Sequence, residues 1–232
     1  KHVLRQLDGG DRLPEIVVTS LPHQDWNRLW AQSITPLFIG SRIVIRPSWK
    51  APPVCHDQIE IVLDPKQAFG TGHHATTRLL LEWLEQRIHG GESVLDVGTG
   101  SGLLAMVAVR LGAAHAVGID HDPVAIDCAR EYARLNRFGD ELQLRCQTIG
   151  PGERMFDLVL ANLDRNTLVG LADNLTGCTR RTLLVSGILL DQRQDVREAF
   201  AGLDFYVRSE KEVDGWLAME FERPRSCEPV SL

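Results

Sequence analysis

Three glycines at alternate positions, Gly98, Gly100 and Gly102, follow an apolar run carrying Asp96 in "VLDVGTGSG". A strand that ends in such a turn and opens a helix is suited to ligand binding. Glycines let backbone approach a bound molecule closely, and the helix start offers unpaired N–H donors. Spacing separates the ligands that use this arrangement. A P-loop needs GxxxxGK[ST], and no Lys follows these glycines. A dinucleotide fingerprint, GxGxxG, would put its third glycine at 103, where Leu103 stands.

Two further polar residues stand where the same crevice would find them. Asp120 ends "AVGID" about twenty residues after the first glycine, where a carboxylate can accept hydrogen bonds from both hydroxyls of a ribose. It could instead cap the next helix, but Asp122 followed by Pro123 already supplies a good N-cap and first-turn pair. Asn162 ends "DLVLAN", at the edge to which a parallel sheet delivers ligand-facing residues. Its carbonyl could accept an N–H from an attacking amine, or it could cap a helix over 165–175.

A second glycine-bearing stretch, "AFGTGHHATT", packs three possibilities together. Gly70 and Gly72 around Thr71 could cradle a phosphate, but no Lys or Arg completes that site, although Arg78 is close. His73 and His74 could hold a metal, but adjacent side chains point apart and no partner sits at metal spacing. Thr76 and Thr77 could cap a helix or touch a ligand.

The elements that must position these residues follow from periodicity. "SVLDV", "AHAVGID", "ELQLRC", "FDLVLAN" and "RTLLVSGIL" read as strands, with two more near 203–212 and 215–222. Helices are expected over 75–88, 102–111, 123–136, 165–175 and 191–201. Alternating strands and helices with near-continuous apolar strands imply an α/β fold with a doubly wound, mainly parallel, Rossmann-like sheet. The N-terminal part has another texture. "PEIVVTSL" reads as a strand, "HQDWNRLWAQSI" as a helix, "FIGSRIVIRPSW" as two short strands around Gly40, and "QIEIVLD" as a strand after a proline-bearing connector. The organisation expected is a small, β-rich N-terminal segment and linker over 1–60, a main domain over 61–223 and a loose tail over 224–232.

Composition narrows the function classes. A net charge of −6 supplies no field for holding a phosphate backbone, so direct nucleic-acid binding is not expected. No apolar run approaches the roughly 18 residues of a membrane span. Five scattered cysteines without a CxxC suggest reduced thiols and a cytoplasmic location.

The order Asp-x-Gly-x-Gly-x-Gly is the pattern of S-adenosylmethionine (SAM)-dependent methyltransferases. From "QDWNRLW" to "GWLAMEFER" the chain resembles one family of them, the ribosomal protein L eleven methyltransferases (PrmA). The most specific likeness is "DPKQAFGTGHHATT", against "DPGLAFGTGTHPTT" in the family. "SRIVIRPSW", "GAAHAVGIDHDPVAIDCAR", "VLAN" and "VSGIL" are similar to family landmarks as well. The resemblance implies SAM as cofactor, with Thr77, Asp96, Gly98, Gly100, Gly102, Asp120 and Asn162 against it. It also implies that Phe69 and Gly70 belong to a lid and helix cap over SAM, and the two glycines around Thr71 suggest a segment mobile until the cofactor binds. Asn162 is the implied catalytic residue, no metal is implied, and a monomer acting on a protein substrate is expected.

Departures touch the substrate more than the cofactor. His73 replaces Thr, Ala75 replaces Pro, and Thr99 replaces the usual Cys between the glycines. Asp164 and Arg165 stand where the family is small and apolar, beside the expected substrate. The family's N-terminal recognition domain is expected to be absent or reduced to residues 1–20. Another protein or a small molecule as substrate, or a SAM-binding protein without catalysis, remain open alternatives at this point. A nicotinamide oxidoreductase would need the missing glycine, and an RNA methyltransferase a basic, aromatic-bearing face.

Overall fold

The computed structural model describes residues 34–64 and 72–224. The expected strand "PEIVVTSL", the helix "HQDWNRLWAQSI", Phe69, Gly70 and most of the tail lie outside the described residues. The chain divides into two units, Lys1–Ile34 and Thr35–Leu232, and the architecture below is that of the second.

A three-stranded sheet comes first, from β1 (Leu37–Ile39), β2 (Ile43–Arg46) and β3 (Ile59–Val62), in that order. The turn at Gly40 reverses the chain so that β1 and β2 pair antiparallel, while β3 lies parallel to β2. The free edge of β3 is covered by a side chain. Asn136 accepts from the Val62 N–H at 2.7 Å and donates to the Val62 carbonyl at 2.7 Å, as a neighbouring strand would.

The large sheet has seven strands: β4 (Ser93–Val97), β5 (His115–Asp120), β6 (Leu142–Cys146), β7 (Phe156–Asn162), β8 (Thr179–Leu189), β9 (Tyr206–Val213) and β10 (Trp216–Glu222). Their order is β6-β5-β4-β7-β8-β10-β9, and only β10 runs against its neighbours. The mainly parallel α/β fold expected from the sequence is therefore present. One difference concerns the helix expected over 165–175. It breaks at Leu171 into α4 (Arg165–Gly170) and α5 (Ala172–Cys178), at Gly170, a residue poorly suited to a helix interior. The remaining helices are α1 (Ala75–Arg87), α2 (Leu103–Leu111), α3 (Pro123–Leu135) and α6 (Arg193–Ala201).

Both faces of the sheet are covered, which is why its strands read as continuous apolar runs. Alternate residues serve opposite faces: Leu158 and Leu160 of β7 join the cluster with α1, α2 and the small sheet, whereas Val159 and Ala161 join that with α4, α5 and α6. The register aligns Val97 with Ile119 and Ala161, and Asn162 with Ser186. Strand order reverses between β4 and β7, so a crevice opens beyond their carboxyl ends, where α/β sheets bind ligands. Gly98, Asp120 and Asn162 all stand at that edge.

Candidate active site

The glycine turn is built for close approach. Gly98, Gly100 and Gly102 have φ of 72°, 54° and 79°, a region that L side chains rarely adopt. A Cβ on Gly98 would also overlap Leu163 Cδ2. Gly102 is the N-cap of α2 and brings no side-chain cap, so the first turn of that helix has no side-chain acceptor from its cap residue.

Beneath the turn lies Asp96, 1% exposed. The Thr99 hydroxyl donates to its Oδ2 at 2.6 Å, while its Oδ1 is buried without a hydrogen bond of normal geometry. Burial pushes this carboxyl up to about 6, against the Thr99 hydroxyl and the nearby Ala105 N–H, which favour the charged form. A Cβ on Gly118 would lie 2.7 Å from Thr99 Oγ1, so a glycine on β5 makes room for the threonine.

Asp120 closes the turn from the neighbouring strand. Its Oδ2 accepts from the Gly100 N–H and its Oδ1 from the Asp122 N–H, each at 3.0 Å. The helix cap belongs to Asp122, whose carboxylate accepts from the Val124 N–H at 2.8 Å, with Pro123 in the first turn. Asp120 thus fixes the loop and keeps lone pairs for a ligand.

Thr77 and Asn162 meet. Asn162 Nδ2 donates to Thr77 Oγ1 at 3.2 Å, joining the first turn of α1 to the end of β7. The alternative capping roles fall to other residues. Asp164 caps α4, accepting from the Asn166 and Thr167 N–H groups and the Thr167 hydroxyl. His74, not Thr76, caps α1: its Nδ1 accepts from the Thr76 N–H at 3.4 Å and lies 2.8 Å from Thr76 Oγ1. The His74 ring also sits edge-on to Trp216, centroids 4.8 Å apart. Arg165 pairs with Asp195 at 2.5 Å, so Asp164 and Arg165 both act in local structure.

Beside Gly98 and Asp120 lies a cavity of about 360 Å³, within the range of small-molecule sites. Its walls add residues that sequence reasoning missed: Gln147, Thr148 and Ile149 after β6, and Leu163, Thr167 and Leu171 around α4. A Cβ on Gly187, in "VSGIL", would overlap the Leu163 carbonyl, so glycines at 98 and 187 flank this one residue, a relationship that only the fold reveals. An apolar cavity with a carboxylate at its rim and a glycine cradle beside it fits an adenosine carrying a flexible, charged tail. Among the described residues no His, Cys, Asp and Glu cluster is arranged to hold a metal ion, and no helix is long and apolar enough to cross a membrane.

Comparison with known proteins converges on one family. The family model for ribosomal protein L11 methyltransferase (PrmA) matches residues 2–224. The chain is 39% identical over 221 residues to a ribosomal protein L11 methyltransferase of Pelobacter propionicus, covering 92% of this chain and 72% of that protein. It is 42% identical over 225 residues to one of Pseudomonas aeruginosa, covering 95% and 74%. Its fold is similar to the crystal structure of a ribosomal protein L11 methylase from Lactobacillus delbrueckii subsp. bulgaricus, with a TM-score of 0.77 and 29% identity, over 83% of this chain and 100% of that one.

Proposed function

The chain belongs to the ribosomal protein L11 methyltransferase (PrmA) family, and we propose that it methylates amino groups of ribosomal protein L11, using SAM. Methyl transfer from SAM is the family's chemistry. The assignment of individual residues and of the substrate is our reading.

The observation that carries this reading is the Thr77–Asn162 hydrogen bond at the open edge of the glycine turn. With Nδ2 held by Thr77, Asn162 Oδ1 is left as an acceptor, and no described residue donates to it. An acceptor there can take an N–H of an amine and aim the nitrogen lone pair into the crevice. The cofactor, when bound, supplies an activated methyl on a sulfonium. The chain's own residues have the tasks of alignment and water exclusion. Asp120 would hold the ribose hydroxyls, the 147–149 segment and Leu163 the adenine, and Gly98, Gly100 and Asp96 the turn around the tail.

The amine imposes one requirement. A lysine with pKa about 10.4 must lose a proton near pH 7, at roughly 4–5 kcal/mol, whereas an α-amino group near 8 costs about 1 kcal/mol. No described side chain beside Asn162 is poised as a strong base, so the proton leaves to water before the amine docks. We read the enzyme as a cytoplasmic monomer that does not bind nucleic acid directly. Incubation with labelled SAM and purified ribosomal protein L11 tests the reading: label on lysine or α-amino nitrogen supports it, and label confined to another molecule refutes it.

A further inference from the structure

We propose that the top of the β8–β10–β9 corner docks a lysine-bearing segment of the protein substrate, gripping an apolar side chain close to the target amine. The proposal rests on the methyl-transfer reading above and adds where the substrate lies.

Three apolar residues form a lateral row there. Leu189 pairs with Trp216, and Trp216 pairs with Val213, so all three point to one face of the sheet. That face is the α1 side, because Trp216 meets the His74 ring at the N-cap of α1. Asn162 opens on the same face, since Leu158 and Leu160, which alternate with it, pack into the α1 cluster. Leu189 and Val213 are nevertheless 40% and 39% exposed, and Leu190, next to the row, 37%. Strand ends with solvent-facing leucine and valine beside a reaction site are unlike a solvated rim, which polar residues would line.

Charge selects the occupant. Asp191 and Asp214 flank the row in sequence, both exposed and without an ion-pair partner among the described residues, whereas Glu212 pairs with Leu217 and points to the other face. Lys211, the cation on this face, is engaged with Glu82 at 3.1 Å. Arg78 on α1 has no partner among the described residues, so the rim is acidic on the hairpin side and mixed on the α1 side. An apolar row inside an acidic rim complements a cationic segment with an apolar residue. Asn162 pairs with Ser186 and Leu189 lies three residues further along β8. Leu189 is then about 10 Å along the sheet from the acceptor, and Trp216 and Val213 lie further by about 5 Å per strand, within the span of a few extended residues.

The test is steady-state methylation of ribosomal protein L11 by Leu189→Ser/Val213→Ser and by Asp191→Lys/Asp214→Asn, with calorimetry of S-adenosylhomocysteine binding on each. The expected result is a rise of about tenfold in KM for the protein, with KM for SAM and the calorimetric affinity unchanged. The charge-reversed variant should approach wild type at high salt, where screening removes the attraction. An unchanged protein KM in both variants, with methylation intact, overturns the docking surface alone. Failure of the wild-type chain to methylate the protein overturns the methyl-transfer reading, and the docking surface with it. Loss of S-adenosylhomocysteine binding in the variants would also overturn it, by placing these residues in the cofactor site.

Discussion

Thr77 and Asn162, 85 residues apart in the chain, share a hydrogen bond of 3.2 Å that ties the first turn of α1 to the end of β7. The threonine hydroxyl accepts from Nδ2 and so leaves Oδ1 as the free end of the Asn162 amide. Thr77→Val keeps the shape and removes the partner, leaving the amide free to turn. A hydrogen bond of about 1 kcal/mol corresponds to a five- to tenfold fall in kcat. S-adenosylhomocysteine affinity should change less than kcat, and calorimetry beside single-turnover kinetics separates the two. An equal fall in both would make Thr77 a cofactor ligand first.

Asp120 joins the glycine turn to the cavity, accepting from the Gly100 N–H. Asp120→Asn keeps the size and removes the charge, so affinity for S-adenosylhomocysteine should weaken by about 1.5–3 kcal/mol, the range for hydrogen bonds to a charged group. Unaltered calorimetric affinity would remove Asp120 from the ribose.

Gly98 has both a left-handed φ and Leu163 in its path. Gly98→Ala should destabilise the fold by about 1–2 kcal/mol through backbone strain and weaken cofactor binding through the displaced Leu163. Adding Leu163→Ala relieves the overlap but not the strain, so urea unfolding should show only partial recovery. Full recovery would locate the whole cost in the side chain.

Asp96 makes stability depend on pH. Its folded carboxyl titrates at about 6, above its ordinary 3.8. A raised pKa means that its contribution is fully present below 3.8 and is lost as pH rises through 6, a change of about 3 kcal/mol. Asp157 behaves in the opposite sense. Although burial raises it, the Ser93 hydroxyl and N–H and the Arg180 guanidinium hold it at about 2, so its contribution is fully present above 3.8 and is lost as pH falls from there through 2. Denaturant unfolding of wild type and Asp96→Asn between pH 4 and 7 should therefore differ in slope. Parallel curves would contradict a buried Asp96 proton.

Much of this site was legible because its residues obey local rules. Asp122–Pro123 announced a helix start, which freed Asp120 for another task, and the structure assigns the cap to Asp122. The place of Asn162 at the end of "DLVLAN" put it at the sheet edge. Contacts across the sheet were not legible. The Leu163 wedge depends on two glycines 89 positions apart meeting around one side chain. Gln147 and Thr148 follow β6 and join the cavity only once β5 and β6 pair. His74 replaced Thr76 as the cap because an imidazole nitrogen accepts as a serine oxygen would, a use of histidine that capping preferences rank low. Phe69 and Gly70 lie outside the described residues, and their place in a lid rests on the family resemblance alone.

We propose that Asn162 aims an amine of ribosomal protein L11 at a methyl held over the glycine turn. Intact-protein mass spectrometry of ribosomal protein L11 after incubation with SAM and either wild type or Asn162→Ala tests it most directly. Wild type should add whole methyl increments on amino nitrogen. With Asn162→Ala the increments should be far slower, although S-adenosylhomocysteine still binds. Equal methylation by both enzymes, or no mass change with a wild-type chain that binds the cofactor, would contradict it.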